Sequence, residues 1–138
     1  MEGASVLSPK EKIREFEKTT KDMTDFEGFT RKLIPEGIVP KLKEIPSDTP
    51  LEQQEDELIH WIGEVTYKVL VNRKIQGMDI SIERILSAAN RMDYAVAEHI
   101  IDDRTSENIR RGFMVGLIWA DALSDKRLQK IIDNFPQE

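Results

Sequence analysis

The sequence predicts an all-α fold: a single domain with three long helices after residue 50 and shorter helices before them. Three observations carry that expectation. Helix-starting punctuation recurs along the chain, with Ser, Thr or Asp placed just before an acidic or proline-led first turn. Apolar residues recur at intervals of three and four rather than two. The stretch "RRGFMVGLIWADAL" (110–123) keeps nine consecutive residues, Gly112 to Ala120, free of charge, fenced by Arg111 and Asp121.

At the N-terminus, Ser8-Pro9-Lys10-Glu11 reads as an N-cap, a proline at the first helical position and a glutamate reaching back to close a capping box. The helix it opens is highly charged, with Ile13 and Phe16 on one side, and residues 1–22 form a polar helix or arm. Thr24-Asp25-Phe26-Glu27 reads as a second box, opening a helix that stops before Pro35. "PEGIVPKLKEIPSDTP" holds four prolines in sixteen residues and predicts a loop over 35–49 with at most a turn or two of helix. Thr49-Pro50-Leu51-Glu52 then starts a long helix ending near Gly77. After the turn "MDIS", a second long helix is expected from about Ile80 to Ile101. "DDRTSEN" turns the chain again, with Thr105 or Ser106 as the cap of the last long helix, which either breaks at Ser124 or runs through it. On this reading the core comes from the three long helices.

Composition narrows the chemistry. The chain has 138 residues, the size of one domain, and a formal net charge of −6 from 26 acidic and 20 basic residues. An acidic balance disfavours nucleic acid as a partner. The absence of cysteine removes disulfides, thiolate metal sites and cysteine nucleophiles. The first eighteen residues lack the apolar core of a signal peptide, and the run from 112 to 120 is short of the roughly 20 residues a bilayer needs. The expectation is a cytoplasmic protein without membrane insertion. No HExxH, glycine-rich phosphate loop or GxSxG occurs, and with only two histidines no metal or catalytic constellation stands out. The acids in "EQQEDE" (52–57) suit the first turns of a helix better than a metal site.

Helical wheels sharpen the picture. Over 50–76 the apolar face is Leu58, Ile59, Ile62, Val65, Val69 and Leu70, with Thr66 and Arg73 inside it. Over 80–101 it is Ile82, Ile85, Leu86, Ala89, Met92, Val96 and Ile100, with Asp93 inside it and His99 at its edge. Isolated buried charges are costly. Arg73 and Asp93 are therefore expected either to face a shared interior space or, for Arg73, to snorkel outward at the helix end. His60 lies opposite the main face with Tyr67 and Val71, a small second stripe that suits docking of the N-terminal helix. The last helix carries two stripes. Ile109, Gly112, Phe113, Gly116, Ala120 and Leu123 form one, with small residues four apart. Met114, Val115, Ile118 and Ala122 form the other, the expected interface of a homodimer.

The segment "LIHWIGEVTYKVLVNRKIQGMDISIERILSAANRMDYAVAEHII" followed by "NIRRGFMVGLIWADAL" resembles the non-haem globin sensor domains of bacterial stress and sporulation signalling. It is similar above all to stand-alone sporulation-inhibitory proteins that look like a sporulation histidine kinase's sensor domain without the kinase. The resemblance covers most of the chain after Pro50 and rests on helix order, size and texture, not on a short motif. It implies a globin-like bundle, a dimer built by the last two long helices, and a fatty-acid tunnel where a globin holds haem. It also implies a polar chamber beside the tunnel that accepts an anion such as chloride. No short motif fixes the register, so no ligand residue is carried over singly. On the wheels, the groups placed to line such a tunnel are Thr66, Val69, Arg73, Met92, Asp93, Val96, His99 and Phe113. A haem globin needs an inward histidine, which this pattern does not supply, so no haem is expected. The function implied is non-enzymatic: binding a fatty acid and titrating or inhibiting a sensor histidine kinase. Two other readings stand beside it, a ligand-free helical adaptor that binds a host protein, and a DNA-binding regulator using "NRKIQGMDISIERIL" with Arg73, Lys74 and Arg84.

Overall fold

Ser8 opens the first helix as its sequence demands. The Glu11 amide donates to Ser8 Oγ at 3.2 Å and the Ser8 amide donates to Glu11 Oε1 at 3.0 Å, so both halves of the box are closed. The computed structural model describes residues 7–78, 82–91 and 98–122. Within them lie α1 (Pro9–Thr20), α2 (Phe26–Lys32), a π-helical turn (Leu33–Ile38), α3 (Val39–Glu44), α4 (Leu51–Ile75), α5 (Ile82–Arg91) and α6 (Asp103–Asp121), and no strand occurs among them. The fold is all-helical, as expected. Met92, Asp93, Val96 and the question of a break at Ser124 fall outside the described residues.

α4 is the axis of the structure, about 37 Å long at 1.5 Å per residue. Its C-terminus closes with a Schellman motif. Gly77, at φ 72°, donates to the Lys74 carbonyl at 3.0 Å, and the Met78 amide reaches the Arg73 carbonyl at 2.8 Å. Its start differs slightly from expectation: Pro50, not Thr49, is the N-cap residue.

α6 runs parallel to α4, start beside start. Arg104 and Asn108 near its beginning bind Glu55. Gly112 faces Ile59 and Ile62, Gly116 faces Gly63 and Thr66, and Lys74 Nζ donates to the Ala120 carbonyl at 2.9 Å. The small-residue stripe of α6 is thus spent within the chain, on a close crossing with α4 in which Gly63 supplies the matching gap. α6 is capped by Asp102, whose carboxylate accepts from the Thr105 amide at 2.7 Å. The expected caps, Thr105 and Ser106, lie inside the helix and are buried.

Three further expectations are corrected. First, residues 35–44 are helical rather than loop. Pro35 has no N–H and crowds the carbonyl one turn back. The wider π register absorbs that conflict without ending the helix, and Pro40 falls where the π turn passes into α3. Second, the N-terminal helices are core, not arm. Phe16, Phe26, Phe29, Leu33, Ile34 and Ile38 are all buried. The rings of Trp61, Phe16, Phe29, Phe26 and Phe113 form a continuous row, successive centroids 5.8, 6.1, 5.7 and 5.7 Å apart, that ties α1, α2, α4 and α6 together. Third, the second long helix does not reach Ile101. Residues 98–101 are turn and bend, and α5 buries Ile85, Ala88 and Ala89 while Leu86 and Ile100 are exposed. The Thr24–Glu27 box is also absent, because Asp25 is the N-cap residue of α2 and its side chain makes no capping bond.

Candidate functional site

Four of the eight expected ligand-lining residues sit in the interior. Thr66, Val69 and Phe113 are fully buried, and Arg73 is 6% exposed. The first two face α6 or the core from successive turns of α4, and Phe113 meets Phe26 edge-on. α4 and α6 approach each other closely at this level. A Cβ on Gly116 would come within 2.8 Å of Thr66 Cβ and 2.9 Å of the Gly63 carbonyl oxygen. Among the described residues, Thr66 Oγ1 is buried with no hydrogen-bond partner.

Arg73 is anchored to the backbone of the α1–α2 connection. Its Nη1 donates to the Thr24 carbonyl at 2.7 Å, and the neighbouring Asn72 Nδ2 donates to the Lys21 and Met23 carbonyls at 2.8 and 3.0 Å. These two side chains satisfy the backbone of the α1–α2 connection, which cannot satisfy itself. Of the two alternatives for Arg73, outward snorkelling is set aside, because the guanidinium is buried and donates to the Thr24 carbonyl; Asp93 lies outside the described residues.

His99 is a correction. It stands exposed in the turn before α6 with φ 62°, a left-handed conformation that histidine tolerates better than most side chains. The expected helix would have turned it inward, whereas the actual reversal of the chain turns it to solvent. His60 is exposed as well and pairs with Glu64, Nε2 to Oε1 at 2.8 Å. Neither histidine reaches the interior.

The second α6 stripe is half open. Met114 packs on the core and Val115 covers Gly63, whereas Ile118 is 60% exposed and Ala122 is exposed. Trp119, which belongs to neither stripe, extends this face. It lies edge-on to His60 and Tyr67 at 5.6 and 6.3 Å and is 38% exposed. A helix apolar all round had to show some large side chain to solvent, and that was the available signal. Glu107, Arg111 and Asp121 continue the same exposed face, with Arg111 Nε 3.7 Å from Glu107 Oε1.

A separate cleft of about 530 Å³ opens between α1 and α4, lined by Tyr67, Lys68, Val71 and Asn72 on one side and Glu17, Lys18 and Lys21 on the other. The expected stripe of His60, Tyr67 and Val71 is thus divided: His60 and Tyr67 meet Trp119 of α6, α1 docks through Phe16 on Trp61, and Tyr67 and Val71 face α1 across this cleft.

The electrostatics are those of anchoring rather than catalysis. Glu55 takes hydrogen bonds from Arg104 and Asn108, which hold its carboxyl below the ordinary 4.5. The hydrogen bond to Glu55, and then its charge, in turn raise Arg104. The Thr105 hydroxyl and amide hold Asp102 below 3.8, and the Ser8 amide and hydroxyl hold Glu11 below 4.5. Among the described residues no group of three or more metal-ligating side chains comes together, and no helix is long and apolar enough to cross a membrane. No protein-family model, curated protein or solved structure matches this chain.

Proposed function

We propose that the protein is a non-enzymatic pairing domain whose working surface is the outer face of α6. The observation that carries this reading is the solvent exposure of Ile118, Trp119 and Ala122 along one helix whose opposite side is completely buried. A second copy is the occupant the charges favour. In an antiparallel pair centred at the level of Gly116, Arg111 meets the partner's Asp121 twice over, and Met114 meets the partner's Ile118. A two-fold contact needs this self-complementarity. Inhibition follows naturally if a sensor histidine kinase presents a like helix: the small domain takes its place in the pair. That partner rests on the resemblance to sporulation-inhibitory proteins alone.

Sedimentation of the purified protein tests the pairing. A dimer is expected for the wild type, with Ile118→Asp monomeric, Arg111→Glu weakened, and Arg111→Glu with Asp121→Arg restored. A monomer for the wild type overturns the reading.

The fatty-acid reading retains one specific support. Thr66 Oγ1, buried and unpartnered between α4 and α6, is a polar atom a bound carboxylate could use. Native mass spectrometry after gentle purification decides it: a co-purifying acyl mass supports the tunnel, and a bare mass leaves the ligand-free adaptor. The DNA-binding alternative loses support because its cations are engaged inside the chain. Arg73 binds the Thr24 carbonyl, Lys74 binds the Ala120 carbonyl, and Arg84 lies 3.5 Å from Glu27.

A further inference from the structure

We propose that the cleft between α1 and α4 is a binding site for a small organic anion with an apolar body. Its volume of about 530 Å³ falls within the range of small-molecule pockets. Val71, buried, and Tyr67, half-buried, give it an apolar floor from α4.

Its polar members divide into two kinds. Glu17 and Asn72 are already committed: Glu17 Oε2 accepts from the Trp61 indole at 3.0 Å, and Asn72 Nδ2 holds two backbone carbonyls. Lys18, Lys21 and Lys68 are not. They are exposed, they converge on the cleft from two helices, and no carboxylate lies within ion-pair reach of them among the described residues.

Helix-end electrostatics explain part of this cluster, since Lys18 is in the last turn of α1 and Lys21 follows it, where cations are favoured. They do not explain Lys68, in mid-α4, nor the hollow between them. The cleft holds three cations against the single carboxylate of Glu17, and in a chain with a net charge of −6 this local excess of positive charge around an apolar floor selects an anion with hydrocarbon or aromatic surface. Lysine stems add to the apolar wall while the ammonium groups stay wet. The space spans about one helical turn on each side, which suits a small molecule and not a docked helix.

The test uses the fluorescent naphthalene sulfonate ANS and its uncharged analogue N-phenyl-1-naphthylamine, titrated into the full chain. Lys18→Gln, Lys21→Gln and Lys68→Gln combined are expected to weaken ANS at least tenfold and leave the uncharged analogue within twofold. The same loss of charge at Lys10, Lys12 and Lys43, all exposed and remote from the cleft, is expected to have little effect. Val71→Trp, checked for folding by circular dichroism, is expected to block both dyes. Ile118→Asp is expected to leave both unchanged, which separates the cleft from the α6 face. Unchanged ANS affinity in the cleft lysine variant, or equal losses in the two lysine variants, overturns the proposal. So does a folded Val71→Trp protein that binds both dyes normally.

Discussion

Gly116 sits where a single methyl group has nowhere to go. Its added Cβ would lie 2.8 Å from Thr66 Cβ and 2.9 Å from a main-chain oxygen, and neither atom is the loose end of a side chain. Gly116→Ala is therefore expected to lower stability by about 1–3 kcal/mol through overpacking, seen as a lower urea midpoint with unchanged slope. Asp102→Ala removes the one side-chain cap of α6 and is expected to cost about 1 kcal/mol, while Thr105→Ala leaves the Asp102–amide bond in place. Arg73 illustrates what a wheel conveys and what it does not. Its inward position follows from helical spacing, but its partner, the Thr24 carbonyl 49 residues earlier, depends on a connection whose path no local pattern specifies. Thr66 and Phe113 were legible as interior for the same periodic reason. His99 was not, because a one-face assignment assumes an unbroken helix and the turn at 98–101 removes that premise.

At the level of elements, α1 and α4 were readable because their signals are local and redundant. Ser8, Pro9 and Glu11 agree on one start, and Gly77 meets the conformational demand of one stop. The α2–α3 run departs from its local signals because a proline ordinarily breaks a helix, whereas Pro35 falls in a π turn that accommodates it. That turn has a packing reason. Gly37 lets it approach the Phe16 and Trp61 rings, each 3.0 Å from where a Cβ would stand. Phe16→Ala is expected to cost about 3–5 kcal/mol, as much as truncating a central residue of α4, because α1 docks through the aromatic row. If α1 were a detachable arm, the same substitution would leave the thermal midpoint unchanged. α1 joins the core because two apolar residues at the right spacing outweigh a charged remainder that simply faces water.

For the whole molecule, acid is the revealing variable. Glu11, Glu55 and Asp102 each have a folded-state pKa below the unfolded one. Each therefore adds stability that is complete above the ordinary carboxylate range and is lost as pH falls through the lowered folded values. Urea midpoints are expected to drop below about pH 4.5, the ordinary value for Glu55. Glu55→Gln with Asp102→Asn should flatten that descent and leave the neutral-pH slope unchanged. A descent of equal steepness in the double variant would show that other carboxylates carry it.

The side-by-side course of α4 and α6 has a last consequence. Aligned peptide units give both helices a positive beginning and a negative end, so the two fields reinforce each other instead of cancelling. The acids at the beginnings, Glu52 and Asp103, and the Lys74 ammonium set on the final carbonyls of α6 are the local compensation for this shared polarity. Take away the Lys74 charge and only Arg73 remains to offset the far pole, so Lys74→Met should enlarge the protein's permanent electric moment, a change that transient birefringence in a pulsed field can read directly.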